Sequence, residues 1–217
     1  MPAPTFRLLA ISQEGDEAWL RRLAAARFGE TGAVQIREKH LERPRHLERL
    51  RLLDDRALLD LALAARAALP PPAIVLVNGR VDIALAAGAD GAHLPGDGVP
   101  IAPLRRRFGP GVILGRSTHS VEEVEQAAKD GADYVTFGPV YATPSKERYG
   151  PPLGIEALAR ASAVGIPVYA LGGVTLARFE ELAGAGAAGA AAIRLFQGTG
   201  LEEMVNIADI ARRFFPG

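Results

Sequence analysis

The sequence predicts a (β/α)8 barrel of the TIM type, with residues 1–217 forming a single domain. Short apolar runs of strand length alternate with amphipathic helical segments, which is the pattern of parallel strands joined by helices. Eight such pairs can be identified along the chain. An open doubly wound sheet usually has about five or six strands, so the number of pairs favours a closed barrel.

Helix boundaries in the sequence support this division. Ser120 is a candidate N-cap with Glu123 at the third helical position, and Thr175 is placed in the same way before a later helix. Several helices end at a glycine, namely Gly88, Gly131 and Gly186, which suggests a repeated βα unit. The predicted strands cover residues 6–11, 33–36, 74–77, 91–94, 112–114, 134–137, 167–171 and 190–195.

The amino-acid composition limits the partners and the chemistry that are expected of this protein. The 25 basic and 25 acidic residues balance, so we expect neither a nucleic acid nor a membrane as partner. Cysteine is absent, which excludes disulfides and thiolate chemistry. The amino terminus has no signal-peptide pattern and no stretch is long enough to span a membrane, so a cytoplasmic protein is expected. The charged segment 41–69 is interpreted as a solvated helix rather than an interaction surface.

In barrels of this type the ligand site is built from the carboxyl ends of the strands and the loops that follow them. Alternation places Gln35, Arg37 and Lys39 on one face, where two cations and an amide could bind an anion. An exposed strand end with a salt bridge is the alternative. After the fifth strand, His119 lies in a turn where it could exchange protons, although a loop histidine can equally be structural.

Two further clusters follow later strands. Thr143, Ser145 and Lys146 could hold an anion after the sixth strand, or could belong to an ordinary surface turn. After strands seven and eight, small residues let backbone N–H groups approach phosphate oxygens, which is the usual phosphate site of the fold. The residues concerned there are Gly172, Gly173, Ile193 and Arg194.

Six ordered segments resemble the thiamin phosphate synthase superfamily from about residue 6 to residue 200. They are residues 35–39, 78–84, 92–95, 115–120, 143–146 and 172–174, and Asn78, which begins the second of them, is predicted to be a substrate-binding residue. The resemblance implies one of two activities. A synthase joins an aminopyrimidine pyrophosphate to a thiazole phosphate with Mg²⁺ held by two aspartates, whereas a thiazole tautomerase moves a proton through a histidine.

The two positions where the resemblance implies aspartates are occupied by Gly79 and Gly98. Mg²⁺ is usually anchored by one or two carboxylates, so this departure favours the tautomerase branch, with no cofactor. Asp97 lies one residue away and could partly substitute. The resemblance makes His119 the proton-transfer residue, although many synthases have a histidine there too. Arg194 stands where both branches usually have a small residue.

The sequence therefore leads to a metal-independent thiazole tautomerase as the first hypothesis, with a small phosphorylated thiazole as its partner. The phosphate would be bound by Gly173, Ile193 and Arg194, and the carboxylate by Lys39 or Lys146. A thiamin phosphate synthase with a reduced metal site is the second hypothesis, and a non-catalytic barrel that binds thiazole or thiamin phosphates is the third. Barrels of this size often form symmetric dimers, so a homodimer is an expectation.

Overall fold

The computed structural model describes residues 6–12, 17–37, 51–143 and 151–215, with the backbone alone for residues 51–54. Eight parallel strands close into a barrel in the order β1 to β8, and β8 pairs with β1. The fold predicted from the sequence is therefore confirmed. The strands are β1 Leu8–Ile11, β2 Gly32–Ile36, β3 Ile74–Asn78, β4 Gly91–Leu94, β5 Ile113–Thr118, β6 Tyr134–Phe137, β7 Val168–Leu171 and β8 Gly189–Ala192.

Helices cover the outside of the barrel. Those that the structure describes are α1 Glu17–Ala25, α2 Arg51–Ala68, α3 Val81–Ala86, α4 Ile101–Phe108, α5 Val121–Lys129, α6 Gly154–Ser162, α7 Phe179–Gly184 and α8 Leu201–Phe214. The predicted solvated helix at 41–69 corresponds to α2, and residues 41–50 lie outside the described part of the chain. None of the described helices is both long enough and apolar enough to cross a membrane.

Most strand boundaries agree with the prediction within two residues, and the carboxyl ends of β5 and β8 differ by more. β5 continues to Thr118, four residues further than its apolar run, because pairing with β6 extends along Gly115, Arg116, Ser117 and Thr118. β8 ends at Ala192, so Ile193 and Arg194 lie in the loop that follows it. The difference arises because strand ends in a closed barrel are set by the neighbouring strands, whereas hydrophobic runs mark only the buried part.

Alternation along the strands divides the core into two parts. Side chains at alternate positions of the strands fill the barrel. They include Leu9, Leu76, Tyr134 and Tyr169, all at most 1% exposed. Phe6 closes the amino-terminal end by stacking on Tyr169 with ring centroids 4.3 Å apart. Side chains at the other strand positions pack under the helices. The interior is therefore apolar at the amino ends of the strands, which leaves the polar residues to the carboxyl ends.

The repeated glycine-ended joints share one backbone pattern. Asp90, Asp133 and Ala188 each donate a backbone hydrogen bond to a carbonyl of the preceding strand, at 2.9 Å in all three cases. The two aspartates add a side-chain contact. Asp90 accepts from the N–H of Val75, and Asp133 accepts from the N–H of Leu114, both at 2.7 Å. The repeat seen in the sequence is therefore a repeated strand-entry joint.

Asp133 is also held by an arginine, which permits a stability prediction. Arg105 donates to Asp133 at 2.5 Å and to the carbonyls of Gly131 and Val112. Replacing Asp133 with alanine leaves a buried strand N–H and a partly buried guanidinium without their acceptor. We expect the free energy of unfolding to fall by about 2 to 3 kcal/mol, measured by urea denaturation.

Asp60→Ala is the matched control for this prediction. Asp60 pairs with Arg56 on the exposed face of α2, in an i, i+4 arrangement. Such pairs contribute roughly 0.3 to 0.5 kcal/mol. Equal effects of the two substitutions would contradict the role assigned to Asp133.

Candidate functional site

A pair of amides lies inside the barrel near the carboxyl ends of β2 and β3. The Gln35 side chain is 1% exposed, and its Nε2 donates to Oδ1 of Asn78 at 2.9 Å. The sequence placed both residues at the candidate site, and the closed barrel brings them together. Oε1 of Gln35 is buried and accepts no hydrogen bond from the residues that the structure describes. The site therefore holds a buried acceptor whose hydrogen-bonding capacity is unused among the described residues.

His93 forms a second polar group in the same end of the barrel. Its Nδ1 lies 2.9 Å from the hydroxyl of Tyr134, and its Nε2 lies 2.9 Å from Oγ of Ser117 and 3.3 Å from Oγ1 of Thr136. Burial, assisted by the positive charges of Arg37 and Arg116, lowers the pKa of His93 to about 3. The imidazole is therefore neutral near pH 7. His93 is therefore a packed, hydrogen-bonded residue of the barrel interior.

Ser117 was not singled out from the sequence. It lies within the motif after the fifth apolar run, and its strand position becomes evident only because β5 extends to Thr118. Alternation from Gly115 then places it on the inner face, next to His93. The signal that could have found it is the parity that it shares with His119.

His119 directly follows β5 and its side chain is exposed. Its backbone N–H donates to Glu123 at 2.6 Å, and Glu123 in turn donates its own N–H to Oγ of Ser120 at 3.2 Å. The predicted N-cap is thus confirmed. Nδ1 of His119 lies within hydrogen-bonding distance of the carbonyl of Gly138, in the loop after β6. Because a carbonyl only accepts, Nδ1 carries the proton and Nε2 is left as the basic nitrogen.

The glycine pair after β7, which the sequence predicts to bind phosphate, adopts a left-handed backbone conformation. Gly172 and Gly173 both have positive φ, at 95° and 64°. The N–H groups of Gly173 and Val174 donate to none of the acceptors in the described part of the chain. Successive backbone N–H groups of this kind can hold phosphate oxygens. Ile193 and Arg194 follow the adjacent strand, and the Arg194 side chain is exposed.

The remaining predicted anion-binding residues are only partly described. Arg37 directly follows β2, and its N–H donates to Oγ of Ser12 at 2.7 Å. Thr143 is half-buried in the loop after β6. Lys39, Ser145 and Lys146 lie outside the described residues.

The positions implied for metal-binding aspartates can be tested directly. A Cβ atom on Gly79 would lie 3.8 Å from Cδ of Pro95, and one on Gly98 would lie 3.1 Å from the same atom. The two positions therefore both border Pro95. With glycine at both, the described residues contain no group of three or more His, Cys, Asp or Glu side chains that could hold a metal. The residues present do not fit a two-carboxylate Mg²⁺ site.

Arg80, in the segment that begins at Asn78, is engaged by two carboxylates. It donates to Asp82 at 2.7 and 2.9 Å and also to Asp55. The hydrogen bond to Asp82 is the largest cause that raises the pKa of Arg80 further above its ordinary value. This arginine therefore fastens α2 to the start of α3.

These features describe a (β/α)8 barrel whose polar groups gather at the carboxyl ends of its strands. The family model described as thiamine monophosphate synthase matches residues 8–196. The chain therefore belongs to the thiamine monophosphate synthase family, as its sequence motifs predicted.

Individual relatives agree with this assignment. A "Putative thiamine-phosphate synthase" of Geobacter sulfurreducens is 44% identical over 183 residues, which cover 83% of this chain and 80% of the relative. A "Thiamine-phosphate synthase" of Roseiflexus castenholzii is 41% identical over 180 residues, covering 82% and 74%. The structure of a thiamine phosphate pyrophosphorylase from Pyrococcus furiosus superposes with a TM-score of 0.74 at 26% identity, covering 96% of this chain and 98% of that one.

The relatives favour one of the two activities that the sequence motifs imply. They support an enzyme of thiamine biosynthesis, and the names of these relatives match the synthase hypothesis better than the tautomerase hypothesis that the sequence placed first. The sequence favoured the tautomerase because of the glycines at positions 79 and 98. That departure is real, but it did not outweigh the overall similarity to synthases.

Proposed function

We propose that this chain joins an aminopyrimidine pyrophosphate to a thiazole phosphate, which is the reaction of a thiamine phosphate synthase. The observation that carries the proposal is the buried Oε1 of Gln35, which has no donor among the described residues. Burying such an oxygen without a donor costs about 1 to 3 kcal/mol, a cost that a ligand N–H would offset. The names and similarity of the relatives support the same reaction.

The two substrates differ in whether their rings can donate a hydrogen bond to Oε1 of Gln35. An aminopyrimidine carries an exocyclic amino group beside a ring nitrogen, so it can donate to Oε1 of Gln35. The ring of a carboxythiazole phosphate has no N–H group. Oε1 of Gln35 lies in the barrel interior, on the amide that contacts Asn78. This acceptor therefore fits the pyrimidine better than it fits the thiazole.

The remaining residues would hold the two anionic groups. The N–H groups of Gly173 and Val174, with the residues after β8, would bind the thiazole phosphate. Arg37, Lys39, Thr143, Ser145 and Lys146 would surround the pyrophosphate. In the reaction a C–N bond forms between the thiazole nitrogen and the pyrimidine methylene, and the C–O bond breaks, with its electron pair leaving on pyrophosphate. Cationic side chains would stabilise the departing charge.

A thiazole tautomerase is the second candidate, and the glycines at positions 79 and 98 favour it. In this reaction a proton leaves ring C2 of a carboxythiazolylidene ethyl phosphate and a proton is returned to the exocyclic carbon. One imidazole can perform both transfers. His119 suits this role because its contact with Gly138 leaves Nε2 as the basic nitrogen.

Supplying purified protein with each set of substrates separates the candidates. Formation of thiamin phosphate and pyrophosphate from the two condensation substrates supports the proposal. Aromatisation of the thiazole tautomer, with no condensation in the presence or absence of Mg²⁺, would replace it with the second candidate. Calorimetric binding of thiazole phosphate without either turnover would indicate a non-catalytic barrel.

If the chain isomerises the thiazole tautomer, we expect turnover to persist in excess chelator. The reason is that positions 79 and 98 supply no carboxylate, and Mg²⁺ needs oxygen ligands in an octahedral arrangement. The measurement is the initial rate with and without chelator. Complete loss of turnover, restored by Mg²⁺, would contradict the expectation. Gly79→Asp with Gly98→Asp is the matched variant, which should bind Mg²⁺ measurably by calorimetry.

A further inference from the structure

We propose that Tyr141, Arg178 and Glu181 act together as positioning residues that hold the glycine pair after β7 in its phosphate-binding conformation and fasten it to the loop after β6. We call these three residues the Tyr141 bridge. The inference rests on the proposed function in one respect, namely that a phosphate binds at the glycine pair.

The bridge joins two loops through one aromatic ring. The guanidinium of Arg178 lies over the ring of Tyr141, 3.8 Å from its centroid. The Tyr141 hydroxyl donates to Oε2 of Glu181 at 2.5 Å. Burial of the ring is the main cause that raises the pKa of Tyr141 to about 12, so the hydroxyl remains a donor in any ordinary assay buffer. Both contacts of the ring thus persist near neutral pH.

Arg178 also controls the peptide that carries a phosphate-binding donor. Its guanidinium donates to the carbonyl of Gly173. That carbonyl and the N–H of Val174 belong to one planar trans peptide, so they point to opposite sides. Fixing the carbonyl against Arg178 therefore turns the Val174 N–H away from the guanidinium, and this N–H has no acceptor in the described residues.

The same loop is enclosed by the chain after β6. A Cβ on Gly173 would lie 2.7 Å from Cβ of Tyr141 and 2.9 Å from the carbonyl oxygen of Ala142. The N–H groups of Val140 and Tyr141 donate to the carbonyls of Leu171 and Gly172, at 2.8 and 3.1 Å. The two loops therefore continue the β6–β7 pairing beyond the barrel. Thr143 is two residues further along the chain. A substitution in the Tyr141 bridge should therefore affect both proposed anion sites, the glycine pair after β7 and the loop after β6.

The bridge lies at the edge of the core, where Tyr141 is only partly buried. α7 anchors itself through Phe179 and Leu182, which are fully buried, whereas Glu181 is exposed and Arg178 is half-buried. Removing the bridge should therefore change ligand binding more than it changes stability. This difference separates a positioning role from a merely structural one.

Arg178→Gln and Tyr141→Leu are the test variants. We expect each to weaken binding of inorganic phosphate, measured by calorimetry, and to raise the KM for thiazole phosphate by about tenfold, while kcat stays within about threefold. Tyr141→Phe keeps the ring under Arg178 and should stay within about threefold of wild type in both measurements. The melting temperature of each variant should fall by less than about 3 °C.

Arg213→Gln is the matched control. Arg213 lies 5.8 Å from the ring centroid of Phe214 near the end of α8, so it belongs to neither the loop after β6 nor the loop after β7. Its substitution should leave phosphate binding and KM unchanged. Wild-type phosphate affinity in Arg178→Gln, or a lower melting temperature with unchanged phosphate binding in Tyr141→Leu, would overturn the proposal.

The phosphate measurement also keeps this inference separate from the proposed function. If the wild-type protein binds inorganic phosphate but condenses nothing, the proposed reaction fails. The effect of the Arg178 and Tyr141 substitutions on phosphate binding still decides whether the bridge positions the loop.

Discussion

Replacing Gln35 with methionine is expected to lower kcat/KM for the condensation by roughly 100-fold, because a pyrimidine N–H would then be buried without an acceptor. Methionine has a similar length and fills the same interior space without its amide. The substitution removes the buried Oε1 but also the donor to Asn78. These effects oppose one another, so the free energy of unfolding should change by less than about 1 kcal/mol.

The measurements are steady-state kinetics of condensation and urea denaturation of the same preparations. Gln126→Met is the matched control, because Gln126 is exposed on α5 and its amide contacts only Asp130 among the described residues. It should retain wild-type kinetics. A Gln35→Met protein with kcat/KM within about threefold of wild type would show that the buried amide does not bind the pyrimidine.

Replacing His119 with glutamine is expected to lower any tautomerase turnover by roughly 10²- to 10⁴-fold, because glutamine cannot exchange a proton near neutral pH. Glutamine keeps a polar side chain of similar reach. Binding of the carboxythiazole phosphate product should change by less than about tenfold, since the loops after β7 and β8 are untouched. Condensation should likewise fall by less than about tenfold if His119 serves only the isomerisation.

Turnover and product binding are measured separately to interpret this variant. Ser120→Ala is the neighbouring control, because it removes the N-cap contact to Glu123 without altering the imidazole. It should cost about 1 kcal/mol of stability and leave turnover nearly unchanged. Isomerisation within about threefold of wild type in His119→Gln would exclude the imidazole and leave Lys39 or Lys146 as candidates. Loss of both turnover and binding would instead mean that His119 positions the ligand or the loop.

The sequence by itself determined the architecture. Eight apolar runs alternate with helices, and glycines such as Gly88, Gly131 and Gly186 end three of the helices with positive φ. These signals are local, since they depend on residues within one strand or one helix turn. They also show which polar residues follow each strand, for example His119 after β5 and Gly172 after β7. Strand ends were less predictable, because the neighbouring strands set the register of β5 and β8.

Only the tertiary structure decided which side chains meet. Gln35 contacts Asn78 across 43 positions of sequence, and His93 contacts Tyr134 across 41. Arg178 reaches the Tyr141 ring from a different loop. Composition and spacing do not predict such pairs. Closing a parallel barrel brings together the ends of strands that are separated along the chain by whole helices. The buried Oε1 of Gln35 likewise exists only in that closed interior, where none of the described residues supplies it with a donor.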